Sequence, residues 1–140
     1  MTRVNLAARL FAAYVLLVLY LCLFPWEPKL GPPGPWFVWE WAGGRTGVAD
    51  VALNFLFFIP LGITGGFAFR GSGRALPVVL LSALLSFLVE SLQGWLPGRV
   101  SSMSDLLCNT GGAALGCFMA PWLAKFVRHE IPSLRAVRIH

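Results

Sequence analysis

The stretch ALPVVLLSALLSFLVESLQGWL, Ala75 to Leu96, carries one formal charge, Glu90, in an otherwise apolar run. A helix crosses a hydrocarbon core about 30 Å thick with roughly 20 apolar residues rising 1.5 Å each, so this stretch predicts a transmembrane helix. Three more runs of the same kind flank it. Leu6 to Phe24 has only Arg9, close enough to the end to snorkel, and no small-residue cleavage motif follows it, so it reads as an anchor and not a removed signal peptide. Val51 to Phe69 is uncharged, but Pro60, Gly62, Gly65 and Gly66 inside it predict a kink or a break. Leu106 to Ala124 has Pro121 near its end. The expected architecture is an all-α, single transmembrane domain over residues 1–140 with helices at about 6–24, 51–69, 75–96 and 106–124. A basic tail, 125–140, frays or lies on the membrane surface.

Composition supports the membrane reading. The chain is 57% hydrophobic and 12% charged, with a mean hydropathy of +0.73. Soluble domains average roughly 45–50% apolar and about 25% charged, so too little charge is present to coat a water-facing surface. Disorder and a disulfide scaffold are excluded by the same figures. Cys22, Cys108 and Cys117 sit in apolar runs without a C-x-x-C spacing and read as packing residues, neither a disulfide nor a metal set. The net charge of +5 does not indicate nucleic acid, because the basic residues stand singly or in pairs at the ends of apolar runs. Eight of them (Arg3, Arg9, Arg70, Arg74, Lys125, Arg128, Arg135 and Arg138) fall on one side of the four crossings. Three (Lys29, Arg45 and Arg99) fall on the other, which predicts that both termini are cytoplasmic. The first loop, Pro25 to Ala49, then faces outward. Its Trp26, Trp36, Trp39 and Trp41 among prolines read first as an interfacial belt, and second as a lid or docking surface.

Polar residues inside the spans are few. Ser82, Ser86, Glu90 and Gln93 recur at helical spacing and fall within about 80° of one another, a polar stripe on one helix face. The serines fit a hydrogen-bonded helix interface. Glu90 lies about 9 Å below the outer end of its helix, where a carboxylate costs several kcal/mol unless paired, protonated or wet, which makes it a functional candidate. Asp50 with Asn54 and Asp105 with Asn109 open the second and fourth helices alike, each pair one turn apart. Glycines follow about three turns on, which suggests two helical hairpins in the same orientation. Each aspartate also suits a first helical turn, and Ser102 with Asp105 reads as a capping box with Asp in place of Glu.

In the predicted topology Asp50, Asn54, Glu90, Gln93, Asp105 and Asn109 lie at one depth, with Arg99 in the Pro97–Arg99 turn above them. Gly112, Gly116 and Ala120, on the face of Asp105 and Asn109, allow close helix approach below. These seven polar residues are the expected pocket, open to the outer leaflet. Carboxylates at Asp50, Glu90 and Asp105 without fixed spacing make a weak divalent-metal signal, and no metal or cofactor is expected.

The pattern Asp50-x-x-x-Asn54-x-x-x-Phe58-x-Pro60-x-Gly62, then Glu90-x-x-Gln93, Gly98-Arg99 and Asp105-x-x-x-Asn109-x-x-Gly112, resembles the VanZ-like membrane proteins. The resemblance implies a bacterial inner-membrane protein related to one that gives modest teicoplanin resistance. Three function classes follow. One is binding or modulation of a cell-envelope lipid, a lipid precursor or a glycopeptide-related ligand in the polar pocket. Another is an enzyme acting on a lipid headgroup, with Glu90 or Asp105 as acid or base and Arg99 holding phosphate. The last is a small transporter with Glu90 as proton site, disfavoured because such a site is reached from both sides and Glu90 lies too close to one face. Binding ranks above catalysis, since His129 and His140 lie in the tail and no Cys has a His partner in sequence. Oligomeric state is not legible.

Overall fold

The computed structural model describes residues 6–24, 26–28, 32–39, 48–69 and 71–130, with the side chains of Val48, Asp50, Arg128 and Glu130 outside the description. Four helices follow in chain order: α1 (Leu6–Leu23), α2 (Val48–Ala68), α3 (Ala75–Gln93) and α4 (Met103–Glu130). All four are long and apolar enough to cross a membrane. Their outward faces carry Leu6, Leu16, Leu53, Leu80, Phe118 and Trp122, all exposed. Lipid tails are as apolar as leucine, so such a surface costs nothing in a bilayer, and the inward face is specified by fit and hydrogen bonding.

Fit is most stringent between α2 and α4, the most extensive helix pair. Gly62 and Gly66 on α2 and Gly112 and Gly116 on α4 recur every four residues, so each pair forms a groove without side chains. A Cβ on Gly62 would overlap the Ala113 carbonyl oxygen. One on Gly112 would overlap that of Phe55, and one on Gly116 that of Ile59. The two backbones therefore touch, as small-residue stripes permit in membranes. Around this seam Val18, Phe58, Leu61, Leu85, Val89 and Ala113 form the buried core, with Tyr14, Val15 and Phe57 against it.

Three expectations are corrected. The second helix is unbroken through Pro60: Gly62 and Gly66 serve contact with α4, Gly65 contact with Val78 and Phe11, and packing against neighbouring helices tolerates the missing N–H. The fourth starts at Met103, because Ser102 caps it, and continues past Pro121 to Glu130 instead of stopping at Ala124. Lys125 and His129 favour that continuation near the negative end of the helix dipole. The first part of the expected tail is thus helical, and residues 131–140 lie outside the described residues. The third helix ends at Gln93, three residues early, where Gly94 begins a series of turns that includes Gly98 at φ +72°.

Those turns are covered by the first loop. Gly34 N–H donates to the Gly94 carbonyl (2.9 Å), Val38 N–H to that of Ser101 (3.1 Å), and Met103 N–H to that of Val38 (3.1 Å). Phe37 stacks on Phe87 at 5.2 Å between ring centroids. Residues 33–38 therefore form a strap across the α3–α4 connection, while Trp26, Trp36 and Trp39 stay exposed. Trp41 lies outside the described residues.

Candidate functional site

The third helix carries its polar stripe inward: Ser82, Ser86, Glu90 and Gln93 are all buried. Ser86 Oγ accepts a hydrogen bond from Asn109 Nδ2 (3.0 Å), which links α3 to α4. Gln93 Nε2 donates to the Cys22 carbonyl (2.9 Å), which links α3 to the last turn of α1. Glu90 is held from two directions. Its backbone carbonyl accepts from Ser101 Oγ at 2.5 Å, and its Oε2 accepts from the Ser102 N–H at 2.8 Å.

The Ser102–Glu90 bond revises the capping box. Asp105 N–H does donate to Ser102 Oγ (3.3 Å), the expected half of the motif. In the other half, the acceptor for the N-cap N–H is Glu90, supplied by α3 across the turn. Glu90 thus fastens the start of α4 to the end of α3.

Below this joint lies a cavity of about 250 Å³ lined by Cys22, Leu53, Asn54, Val89, Glu90, Gln93, Arg99, Asp105 and Asn109. It sits at the end of the bundle away from the α1 N-terminus and the α4 C-terminus. All four helices contribute: the C-terminal ends of α1 and α3, and the N-terminal parts of α2 and α4. Of the seven residues expected to share a pocket, Asn54, Glu90, Gln93, Arg99, Asp105 and Asn109 line this one, and the Asp50 side chain lies outside the described residues. Glu90 and Asn109 are each 2% exposed and Gln93 8%, while Arg99 is exposed at the rim. Asn109 Oδ1 and Ser82 Oγ are buried without a hydrogen-bond partner among the described residues. Leaving a carbonyl oxygen unpaired in a low-dielectric interior costs about 1–3 kcal/mol, so a partner from outside the chain has something to gain at Asn109.

Sequence reasoning did not single out Cys22, Leu53 or Val89 as lining residues, nor Ser101 as a support for Glu90. Cys22 is in the last turn of α1, level with Gln93 once the helices alternate, and that level was its available signal. Among the described residues no group of three or more His, Cys, Asp or Glu side chains is placed to hold a metal ion.

An α-helical, four-crossing membrane protein with a polar cavity at one end of its bundle is the class these features define. The VanZ/LLP1 family matches residues 11–125, from α1 into α4, and the chain belongs to that family. No curated protein and no solved structure matches it.

Proposed function

We propose that this protein acts in the bacterial inner membrane, with both termini cytoplasmic, and binds or modulates a cell-envelope lipid or lipid precursor through the polar cavity. A link to glycopeptide susceptibility, teicoplanin in particular, belongs to the same proposal. The observation that carries it is the cavity: acids and amides from three helices and a guanidinium from one turn share a single space of about 250 Å³ at one end of the bundle. In lipid each such group is costly to leave unpaired, and the interhelix bonds made by Glu90, Gln93 and Asn109 still leave Asn109 Oδ1 without a partner among the described residues. The charge asymmetry supports an outward-facing opening, since eight of the basic residues fall on the other side of the crossings in sequence. Arg99 at the rim suits an anionic group of a headgroup by its planar fork of donors.

The test is lipid analysis by mass spectrometry of the protein purified in mild detergent, as wild type, Asn109→Leu and Arg99→Ala. The expected result is a polar amphiphile enriched over bulk membrane in the wild type and reduced in both variants. Copurified lipid with the bulk composition in all three would remove the proposal.

A further inference from the structure

The cavity and its surroundings have a chemical polarity that narrows the ligand, given the lipid-binding reading above. Its interior offers acceptors. Of the three amides that line it, Gln93 and Asn109 each spend one N–H on the protein, Gln93 on the Cys22 carbonyl and Asn109 on Ser86 Oγ, while Asn54 is only half-buried. Asn109 is 2% exposed and lines the cavity, and its Oδ1 has no partner among the described residues. Glu90 and Asp105 add carboxyl oxygens to the same lining.

Donors are scarce at depth for a structural reason. A helix N-terminus ordinarily presents free N–H groups to an anion. At the start of α4 the Ser102 N–H is given to Glu90, the Met103 N–H to the Val38 carbonyl of the strap, and the Asp105 N–H to Ser102 Oγ. Among the described residues the one cationic side chain lining the cavity, Arg99, is at the rim. A phosphate is therefore served at the mouth, and the interior calls for a group that donates.

A second space adjoins the first. Leu53 and Asn54 line the polar cavity and also a groove of about 450 Å³ between α1 and α2, whose other lining residues are Tyr14, Leu56, Phe57 and Pro60. The polar end of this groove is already satisfied, since the Tyr14 hydroxyl donates to the Phe57 carbonyl at 2.8 Å. What remains is an apolar channel along the lipid-facing side of α2 that meets the polar cavity at Asn54.

We infer that the paired spaces hold one lipid whose headgroup carries a primary ammonium: the ammonium on Asn109 Oδ1 and the carboxyl groups, the phosphate at Arg99, and a hydrocarbon chain in the α1–α2 groove. The cavity has room for about eight waters at roughly 30 Å³ each, enough for a phosphoethanolamine-sized group and too small for a sugar chain. Phosphatidylethanolamine has this chemistry, and phosphatidylcholine tests it, because its quaternary ammonium keeps the charge and loses every N–H.

The experiment is native mass spectrometry of the full chain in detergent, titrated with dioleoyl phosphatidylethanolamine, phosphatidylcholine and phosphatidylglycerol. Identical tails hold the groove contribution constant. Donor pairing to charged and amide acceptors predicts that the ethanolamine lipid binds about tenfold to a hundredfold more tightly than either other lipid. Asn109→Leu should bring it down to the choline level. Leu56→Trp, which fills the exposed groove, should weaken all three alike. Glycerophosphoethanolamine, the same headgroup without tails, should fail to displace the lipid at equal concentration. Selective retention with choline equal to ethanolamine, or with glycerol ahead, would overturn the ammonium assignment and leave lipid binding standing. Displacement by the soluble headgroup, or no effect of Leu56→Trp, would overturn the tail assignment. No lipid of any class above the Asn109→Leu background would overturn both this inference and the proposed function.

Discussion

Gly111 and Gly112 are neighbours in sequence, and the structure predicts opposite responses to the same added methyl group. A Cβ on Gly111 would sit 3.4 Å from the nearest Phe55 ring carbon, an ordinary van der Waals distance. Gly111→Ala should gain most of the roughly 1 kcal/mol by which Ala exceeds Gly in a helix. A Cβ on Gly112 would instead overlap the Phe55 carbonyl oxygen, which belongs to backbone and cannot turn aside. The helices must separate, and because Gly62 and Gly116 touch α4 and α2 carbonyls in the same way, separation loosens the seam at all three glycines. Overpacking of this kind costs about 1–3 kcal/mol, and each weak Cα–H···O bond that opens adds about 0.5–1 kcal/mol. After the propensity gain, Gly112→Ala is expected to be destabilised by about 1–3 kcal/mol, and the two variants to differ by about 2–4 kcal/mol. At roughly 3 °C per kcal/mol for a chain of this size, thermal melting in one detergent should place Gly112→Ala about 6–12 °C below Gly111→Ala. Equal melting temperatures, or Gly112→Ala above wild type, would refute the close backbone seam. The consequence reaches the site, since the seam sets the spacing of Asn54 on α2 from Asn109 on α4.

Two further predictions concern the joint and the orientation. Glu90→Gln retains an oxygen that can accept the Ser102 N–H, so its melting temperature should stay near wild type while retention of the ethanolamine lipid falls. Glu90→Leu leaves that buried N–H unpaired and should lose about 1–3 kcal/mol of stability in the same melt; equal stability of the two variants would dismiss Glu90 as the cap of α4. Single cysteines at exposed Pro97 and Ser72, in a chain without the native three, should label oppositely with an impermeant thiol reagent on intact cells. Pro97→Cys should react and Ser72→Cys should not, and the reverse pattern would place the cavity on the cytoplasmic face.

The spans are legible in the sequence because length and hydropathy alone determine what crosses a bilayer, and Glu90 stands out because a carboxyl group in such a run has a known cost. The shared depth of Asn54, Glu90, Gln93, Arg99, Asp105 and Asn109 follows from alternating helix direction. Neighbour choice is harder. Gly62 and Gly66 carry the same spacing as Gly112 and Gly116, yet a glycine beside Pro60 reads equally as a kink until the facing carbonyl is seen. The partners of the strap are not legible: Gly34 and Val38 engage the α3–α4 turns through backbone N–H and C=O groups, which leave no side-chain pattern. Pro121 hides the true end of α4, because in water a missing hydrogen bond and a ring clash usually stop a helix, and here the helix runs on to Glu130.

The polarity of the cavity follows from how the bundle satisfies its own backbone. Ser101, Ser102 and Ser104 are buried at the start of α4, so the first N–H groups there must be paired within the protein. Here α3 supplies a carboxylate, the first loop a carbonyl and Ser102 its hydroxyl. That pairing occupies three donors at the start of α4, a helix end that would otherwise attract an anion, while Asn109 Oδ1 is left buried with no group among the described residues to receive from. A closed helix N-terminus and an open acceptor one turn further along are thus two results of one arrangement. The site favours a donating cation at depth for the same reason that α4 begins where it does.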